Sequence, residues 1–238
     1  MSDLQSVMGS LKARGTEQNR KIYVRHGVPA ERTFGVSNAD LKVIAKTIKG
    51  QQALAMELYA TGNMDAMYLA GIVADGAQMT RKQLQAWADG TAGIAMIGEY
   101  TVPWVALDHP EAHDLAIQWI GSKKEAVAAA GWCTYAGLVA TQADEALNFK
   151  EIEELLATIV KEIGGAKDRV KIAMNAFVIA VGTYVKPLLA KAKATAKQVG
   201  SIVVDMGDTD CKIRLATEYI AKVEAAGKVG KKRKTMRC

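Results

Sequence analysis

Proline is scarce, with four in 238 residues, so little in the chain forces a helix to stop. β-branched residues rarely alternate with polar ones, and almost no sheet is expected. Residues 201–204 are the one strand-like stretch, too short to matter. Three cysteines, Cys133, Cys211 and Cys238, are too few and too scattered for a disulfide framework or a zinc site. A reduced, cytoplasmic compartment is the resulting expectation. No apolar run reaches the length that spans a bilayer, and the opening MSDLQSVMGS lacks the basic start and apolar core of a signal peptide. No membrane partner is expected. Walker-type phosphate loops, the dinucleotide glycine fingerprint and the Gly-x-Ser-x-Gly elbow are all missing, so no cofactor is expected and most common enzyme chemistries lack support.

Charge is distributed unevenly. The chain holds 31 basic and 25 acidic side chains, and the segment KVGKKRKTMRC at 228–238 carries six of the basic ones with no acid. Without that segment the count is 25 against 25, so the body is balanced and the tail carries the excess. A cationic arm on a neutral body suits a polyanion, because each basic group can displace a counterion from a phosphate backbone. It also suits a solvated, disordered tail.

The periodicity is helical almost throughout. Ser37-Asn38-Ala39-Asp40 reads as a capped helix start, with Leu41, Ile44, Ala45 and Ile48 recurring at helix spacing until Gly50. Further helices are expected over 51–60, 64–74, 80–88, 94–107, 110–120, 124–141, 150–163, 167–184, 187–199 and 214–226. Breaks fall at Gly62, Gly90, Gly121, Gly164-Gly165 and Gly227. About a dozen helices joined by short loops suggest an all-α, right-handed α-solenoid of stacked helix pairs, an ARM/HEAT superhelix. The repeat is weak, and an irregular bundle fits the periodicity as well. We read one repeat domain over 1–227 and a basic tail over 228–238.

Four constellations are candidates for chemistry. Trp104 and Asp108 stand at i and i+4, where an indole and a carboxylate share a helix face and can stabilise a cation. Asp108 also suits a cap for a helix starting at His109-Pro110. His109, Glu111, His113 and Asp114 have two histidines four apart, but a polar first helical turn explains them better than a metal, and none is expected. Asp205, Asp208 and Asp210 surround Gly207 without the spacing or closing glutamate of a calcium loop, and a capping turn accounts for them. Lys167, Arg169 and Lys171, then Lys186, Lys191, Lys193 and Lys197, suit a phosphate backbone or an ordinary solvated face.

Several of these pieces resemble the AlkD-like DNA alkylation repair proteins, a family of HEAT-like helical repeats. Lys21-Ile22-Tyr23 followed by Phe34-Gly35-Val36-Ser37-Asn38-Ala39-Asp40-Leu41-Lys42 is similar to the family's aromatic-Gly-Val-x-x-x-Asp-Leu stretch. Trp104-x-x-x-Asp108 is similar to its tryptophan and catalytic aspartate, and 124–141 and 167–181 resemble its later helices. The resemblance implies hydrolysis of the N-glycosidic bond of N3- or N7-alkylated purines in duplex DNA, without flipping the base into a deep pocket. Asp108 would stabilise the sugar cation and orient water, and Trp104 would pack on the deoxyribose. Where the family has a further arginine this chain has Thr134 or Tyr135, and where it has a second tryptophan this chain has Asn175-Ala176-Phe177. A non-catalytic protein that binds bent, branched or damaged DNA, or a protein scaffold, is the alternative. Candidate DNA contacts are Trp132, Tyr135, Lys167, Arg169, Lys171, Lys212, Lys231, Lys232, Arg233 and Lys234. The expected partner is duplex DNA, through its phosphate backbone and alkylated purines, met by a monomer in the nucleoid.

Overall fold

The structure, a computed structural model, describes residues 3–91, 93–207, 209 and 212–237, and every regular element among them is helical. Readings that rest on Asp208, Asp210, Cys211 and Cys238 lie outside the described residues. The chain forms two compact units. One comprises the described residues of 1–110 and 206–210 together with Arg237, the other those of 111–205 and 211–236. No single helix among the described residues is long and apolar enough to cross a membrane.

The first unit opens with two helices that the apolar pattern does not announce, α1 (Leu4–Arg14) and α2 (Glu17–Arg25). Their starts are fixed by Asp3 and Thr16, whose side chains accept the backbone N–H of Ser6 and Asn19. Only Val7 and Leu11 of α1 are buried, and no residue of α2 is, so neither helix has a broad apolar stripe. Then follow α3 (Asn38–Thr47), capped by Ser37 as the sequence indicates, α4 (Gln52–Ala60), α5 (Met64–Val73) and α6 (Arg81–Asp89). The single helix expected over 94–107 is divided into a π-helical turn, Ile97–Thr101, and a short α7 (Val102–Ala106). Pro103 explains the division: it has no N–H to close a regular turn, and a widened turn accommodates the loss.

Helix α5 is the centre of this unit, with eight of its ten residues buried against α3, α4, α7 and the π turn. One of the eight is charged. Asp65 is fully buried, and its carboxylate accepts the Thr33 hydroxyl at 2.9 Å and the N–H groups of Phe34 and Val36 at 2.6 and 2.9 Å. These bonds replace the water the carboxylate has lost and fix the 33–36 segment to α5. A second close fit lies at Gly76, where a Cβ would come within 1.8 Å of the Val105 carbonyl oxygen. The 76–78 turn therefore rests directly on the α7 backbone.

The second unit contains α8 (Ala112–Ile120), α9 (Glu125–Thr141), α10 (Phe149–Glu162), α11 (Asp168–Tyr184), α12 (Leu189–Val199) and α13 (Ala216–Ala225). The long helices α9 and α11 pack on one another, with thirteen and ten of their seventeen residues buried. The remaining helices clad them: α8 lies on α9, α12 and α13 lie on α11, and α10 lies on α12. The Ala- and Gly-rich sequence of α9 makes close approach possible; a Cβ at Gly131 would stand 2.5 Å from the Ile120 nitrogen at the end of α8. Helix α10 is amphipathic by contrast, burying Ile152, Leu156 and Ile159 at helical spacing.

Helices α8, α9 and α10 are joined by polar contacts at one edge. His113 Nε2 lies 2.7 Å from Glu151, and Nδ1 lies 3.0 Å from Asp114. A ring with a carboxylate at each nitrogen is matched by the imidazolium, which donates from both. Burial pulls the His113 pKa down, but the bonds to Glu151 and Asp114 and their charges outweigh it, and the net shift is upward. The Tyr135 hydroxyl donates to the same Glu151 oxygen. Burial, and then this bond, push the Tyr135 pKa up, so the phenol stays protonated.

Two outcomes are expected. Asp65→Ala leaves three donors without their acceptor and should lower stability by about 3 kcal/mol, read as a fall in the urea midpoint at unchanged slope. His113 has a folded-state pKa above its ordinary 6.5, so its contribution is complete below that value and fades as pH rises through the raised one. His113→Gln should therefore cost more stability at about pH 5.5 than at about pH 8.5, and equal losses would contradict the charged bridge.

Candidate functional site

Trp104 and Asp108 stand on either side of the end of α7. Trp104 lies within the helix and is 4% exposed. Its indole meets the edges of Tyr68 at 5.1 Å and Tyr100 at 6.0 Å between ring centres. These contacts are the edge-to-face kind that fix an aromatic ring in one orientation. Asp108 lies in the turn that follows, held by N–H bonds from Asp108 to Val105 O and from His109 to Ala106 O. The next helix is capped at Glu111, not by the Asp108 side chain.

The Asp108 carboxylate is met by an arginine. Arg237 Nη2 donates to Asp108 Oδ2 at 2.5 Å and to the Ala74 carbonyl at 2.7 Å, while Nε donates to the Gly71 carbonyl at 3.1 Å. The Gly76 N–H makes a longer contact of 3.4 Å with the same carboxylate oxygen. The side chains of Arg237 and Asp108 are 24% and 32% exposed, so the pair is shielded without being sealed. Sequence reasoning looks for an arginine on the helix after Trp104 and finds Thr134 and Tyr135. The arginine beside Asp108 comes instead from 129 positions further along the chain, and no spacing rule connects the two.

In the second unit the aromatic candidates are internal. Trp132 and Tyr135, expected at a DNA surface, are 1% and 2% exposed. Both lean on Phe177, with ring centres 5.4 and 5.5 Å away. Their spacing on α9 turns them toward α11, and Phe177 is the α11 residue that receives them. Tyr135 is further committed to Glu151.

The cations divide into groups. Lys167 stands at the start of α11 and lines an open cleft of about 520 Å³. Lys123, Lys161, Glu125, Glu162 and the buried Trp132 contribute to the same cleft. Sequence reasoning does not single out Lys123 or Lys161; they come from the α8–α9 loop and from α10, and only folding brings them to Lys167. Arg169 uses its backbone N–H on Glu125 at 2.9 Å. Lys171 lies 3.5 Å from Asp168 and from the Val203 carbonyl. Asp168 is held below the usual carboxylate range by the Asp205 N–H first, then by Lys171 and Arg169.

Lys212 is exposed. Within the tail, Lys231 and Lys234 are exposed, whereas Lys232 pairs with Asp144 at 2.8 Å and bonds the Val139 carbonyl at 2.9 Å. Arg233 is anchored through its backbone N–H to the Ala140 carbonyl at 2.8 Å. Among the described residues no three His, Cys, Asp or Glu side chains converge as a metal site. His113 is engaged by Glu151 and Asp114 instead.

Comparison with known proteins places this geometry in a family. An uncharacterised protein of Listeria innocua is 29% identical over 223 residues, spanning 89% of this chain and 93% of its own. Its counterpart in Listeria monocytogenes is 28% identical over the same spans. A solved structure from a new family of proteins related to the HEAT-like repeat DNA glycosylases, with affinity for branched DNA structures, is 39% identical to this chain. The two chains cover each other fully with a TM-score of 0.92, so the all-helical architecture is that of a HEAT-like repeat protein. Residues 7–204, most of the length, match the DNA alkylation repair enzymes, and the protein belongs to that family.

Proposed function

We propose that this protein binds branched or otherwise distorted duplex DNA and that binding, rather than base excision, is its principal activity. The observation that carries the reading is the full-length likeness, at 39% identity, to a protein from a family with affinity for branched DNA. The Asp108 pair supports it. A carboxylate that stabilises an oxocarbenium-like sugar needs its charge available, and Arg237 already neutralises it. The arginine and second tryptophan of the glycosylases also have no counterpart on the helices where the family carries them.

Binding would be chiefly electrostatic. Lys123, Lys161 and Lys167 surround the cleft of the second unit, and Lys212, Lys231 and Lys234 add exposed charge. Each lysine that neutralises a phosphate releases a counterion, so affinity falls steeply with salt. Trp132 and Tyr135 have no part in this reading, because their rings are internal.

A second reading keeps the family's chemistry: excision of N3- or N7-alkylated purines, with Asp108 as the catalytic carboxylate and Trp104 beside it. The retained pair on one turn of the first unit favours it, with Asp108 still partly exposed.

Two experiments separate the readings. The protein should bind a four-way DNA junction at least about tenfold more tightly than linear duplex of equal length. Replacing Lys123, Lys161 and Lys167 by Gln should weaken binding and reduce the slope of log affinity against log salt by about 0.9 for each phosphate no longer neutralised. An unchanged slope would remove the cleft from the interface. In the second experiment, duplex DNA carrying 7-methylguanine is incubated with the wild type and with Asp108→Asn, and released base is measured. No release by either is expected; release by the wild type alone would make excision the principal activity.

A further inference from the structure

The environment of Arg237 is built for one kind of ligand. Among the described residues three oxygens converge on its guanidinium: the carbonyls of Gly71 and Ala74 and one oxygen of Asp108. Gly71 lies in the last turn of α5, where carbonyls have no partner within the helix, and Ala74 is the residue that ends it. The end of α5 carries partial negative charge, which adds to the carboxylate. A site of acceptors at a helix C-terminus beside a carboxylate recognises a cation.

The shape narrows the class. Two carbonyls are met by two different nitrogens, Nε and Nη2, and Nη2 also meets the carboxylate. A rigid planar fork satisfies this arrangement from two nitrogens, whereas an ammonium would have to reach all three oxygens from one. The floor is fixed as well. The 76–78 turn rests on the α7 backbone at Gly76, and the Asp108 turn is closed by its own N–H bonds. The oxygens are therefore held in place by backbone packing and not by the arginine that occupies them.

We infer that Gly71, Ala74 and Asp108 form a guanidinium-binding site in the first unit, and that Arg237 is its tethered occupant. The tail segment thus covers the partly exposed carboxylate one turn beyond Trp104. While Arg237 is seated it holds Asp108 Oδ2, and a ligand that needs this oxygen must displace the arginine first. Guanidinium binding at this site goes beyond DNA binding and does not depend on it.

The test uses the full chain with ethylguanidinium as probe and ethylammonium as control, following thermal unfolding. Arg237→Ala empties the site and leaves the oxygens in place. Ethylguanidinium should raise the Tm of Arg237→Ala saturably, by about 3 °C or more near ten times its apparent Kd, and ethylammonium should not. Wild type, with the site filled, and Arg237→Ala/Asp108→Asn, with the carboxylate gone, should show no saturable rise. Equal responses in all three proteins would overturn the inference.

A second measurement covers loss of folding in the variant. In wild type, one arginine Nε–H signal, identified by its absence in Arg237→Lys, should exchange slowly with water and become fast in Asp108→Asn. Fast exchange in wild type would overturn the inference equally. No DNA is present in either assay, so a failure to bind branched DNA leaves both results standing.

Discussion

A helix buried on every side must be surrounded on every side, and this constraint organises both units. Helices α5, α9 and α11 have so little exposed surface that each needs several neighbours, and the amphipathic helices supply them. The small residues of the inner helices are part of the same solution. Gly131 admits the backbone of α8 at a distance no side chain would allow. Burial on this scale makes an unmatched polar group costly, and most of those inside are matched, Thr101 and Thr183 being exceptions. Asn175 on α11 donates to the Arg214 carbonyl, Thr134 on α9 bonds the Ala130 carbonyl, and Asp65 on α5 collects three donors. Asn175 and Asp65 thereby tie loop segments to the helices that carry them, while Thr134 is satisfied within its own helix.

The Asp108 site follows from the same packing. Pro103 interrupts the helix before Trp104, the π turn absorbs the disruption, and α7 is left only five residues long. A helix so short ends where a longer one would still be closing its hydrogen bonds, which puts Asp108 in a turn and not on a regular face. The end of α5 lies against this turn because Gly76 permits contact with the α7 backbone. Orphan carbonyls and a carboxylate are thereby gathered in one place, and such a collection of acceptors calls for a cation. Arg237 meets that need, and the acidity of the site would otherwise be unopposed.

Much of the helical framework is legible in the sequence because its signals are local. Ser37, Gly62, Gly90 and Gly121 mark starts and stops within a residue or two of the observed bounds, since a capping side chain and a glycine at a helix end act on the nearest turn. Helices α1 and α2 are hidden because their starts depend on single capping side chains and their faces are mostly polar. The Trp104–Asp108 pair is also visible, but its partner is not. Arg237 and Asp108 meet through the fold of the whole chain, and nothing near either residue announces the other. The same holds for Glu151, which gathers Tyr135 and His113, and for Lys123 and Lys161, which join Lys167 only around a cleft. Spacing on α9 marks Trp132 and Tyr135 as aromatic residues of interest, yet it cannot say whether that face meets solvent or α11.

The tail shows why a count of charges is a poor guide to a binding surface. Its six basic residues account for the whole excess of the chain, +6 at neutral pH. Two of them pair with carboxylates: Lys232 with Asp144 and Arg237 with Asp108. Each of those carboxylates is partly shielded, so its pairing also removes an acidic group that would repel a phosphate. The paired cations thus act indirectly, by silencing acids, while Lys228, Lys231, Arg233 and Lys234 remain exposed. An arm that both anchors itself and presents charge has a defined position, and a cation in a defined position loses less entropy on meeting a phosphate than one on a free chain. The charge that matters for binding is therefore the part of the tail that the fold leaves outward, set by where its other cations are held.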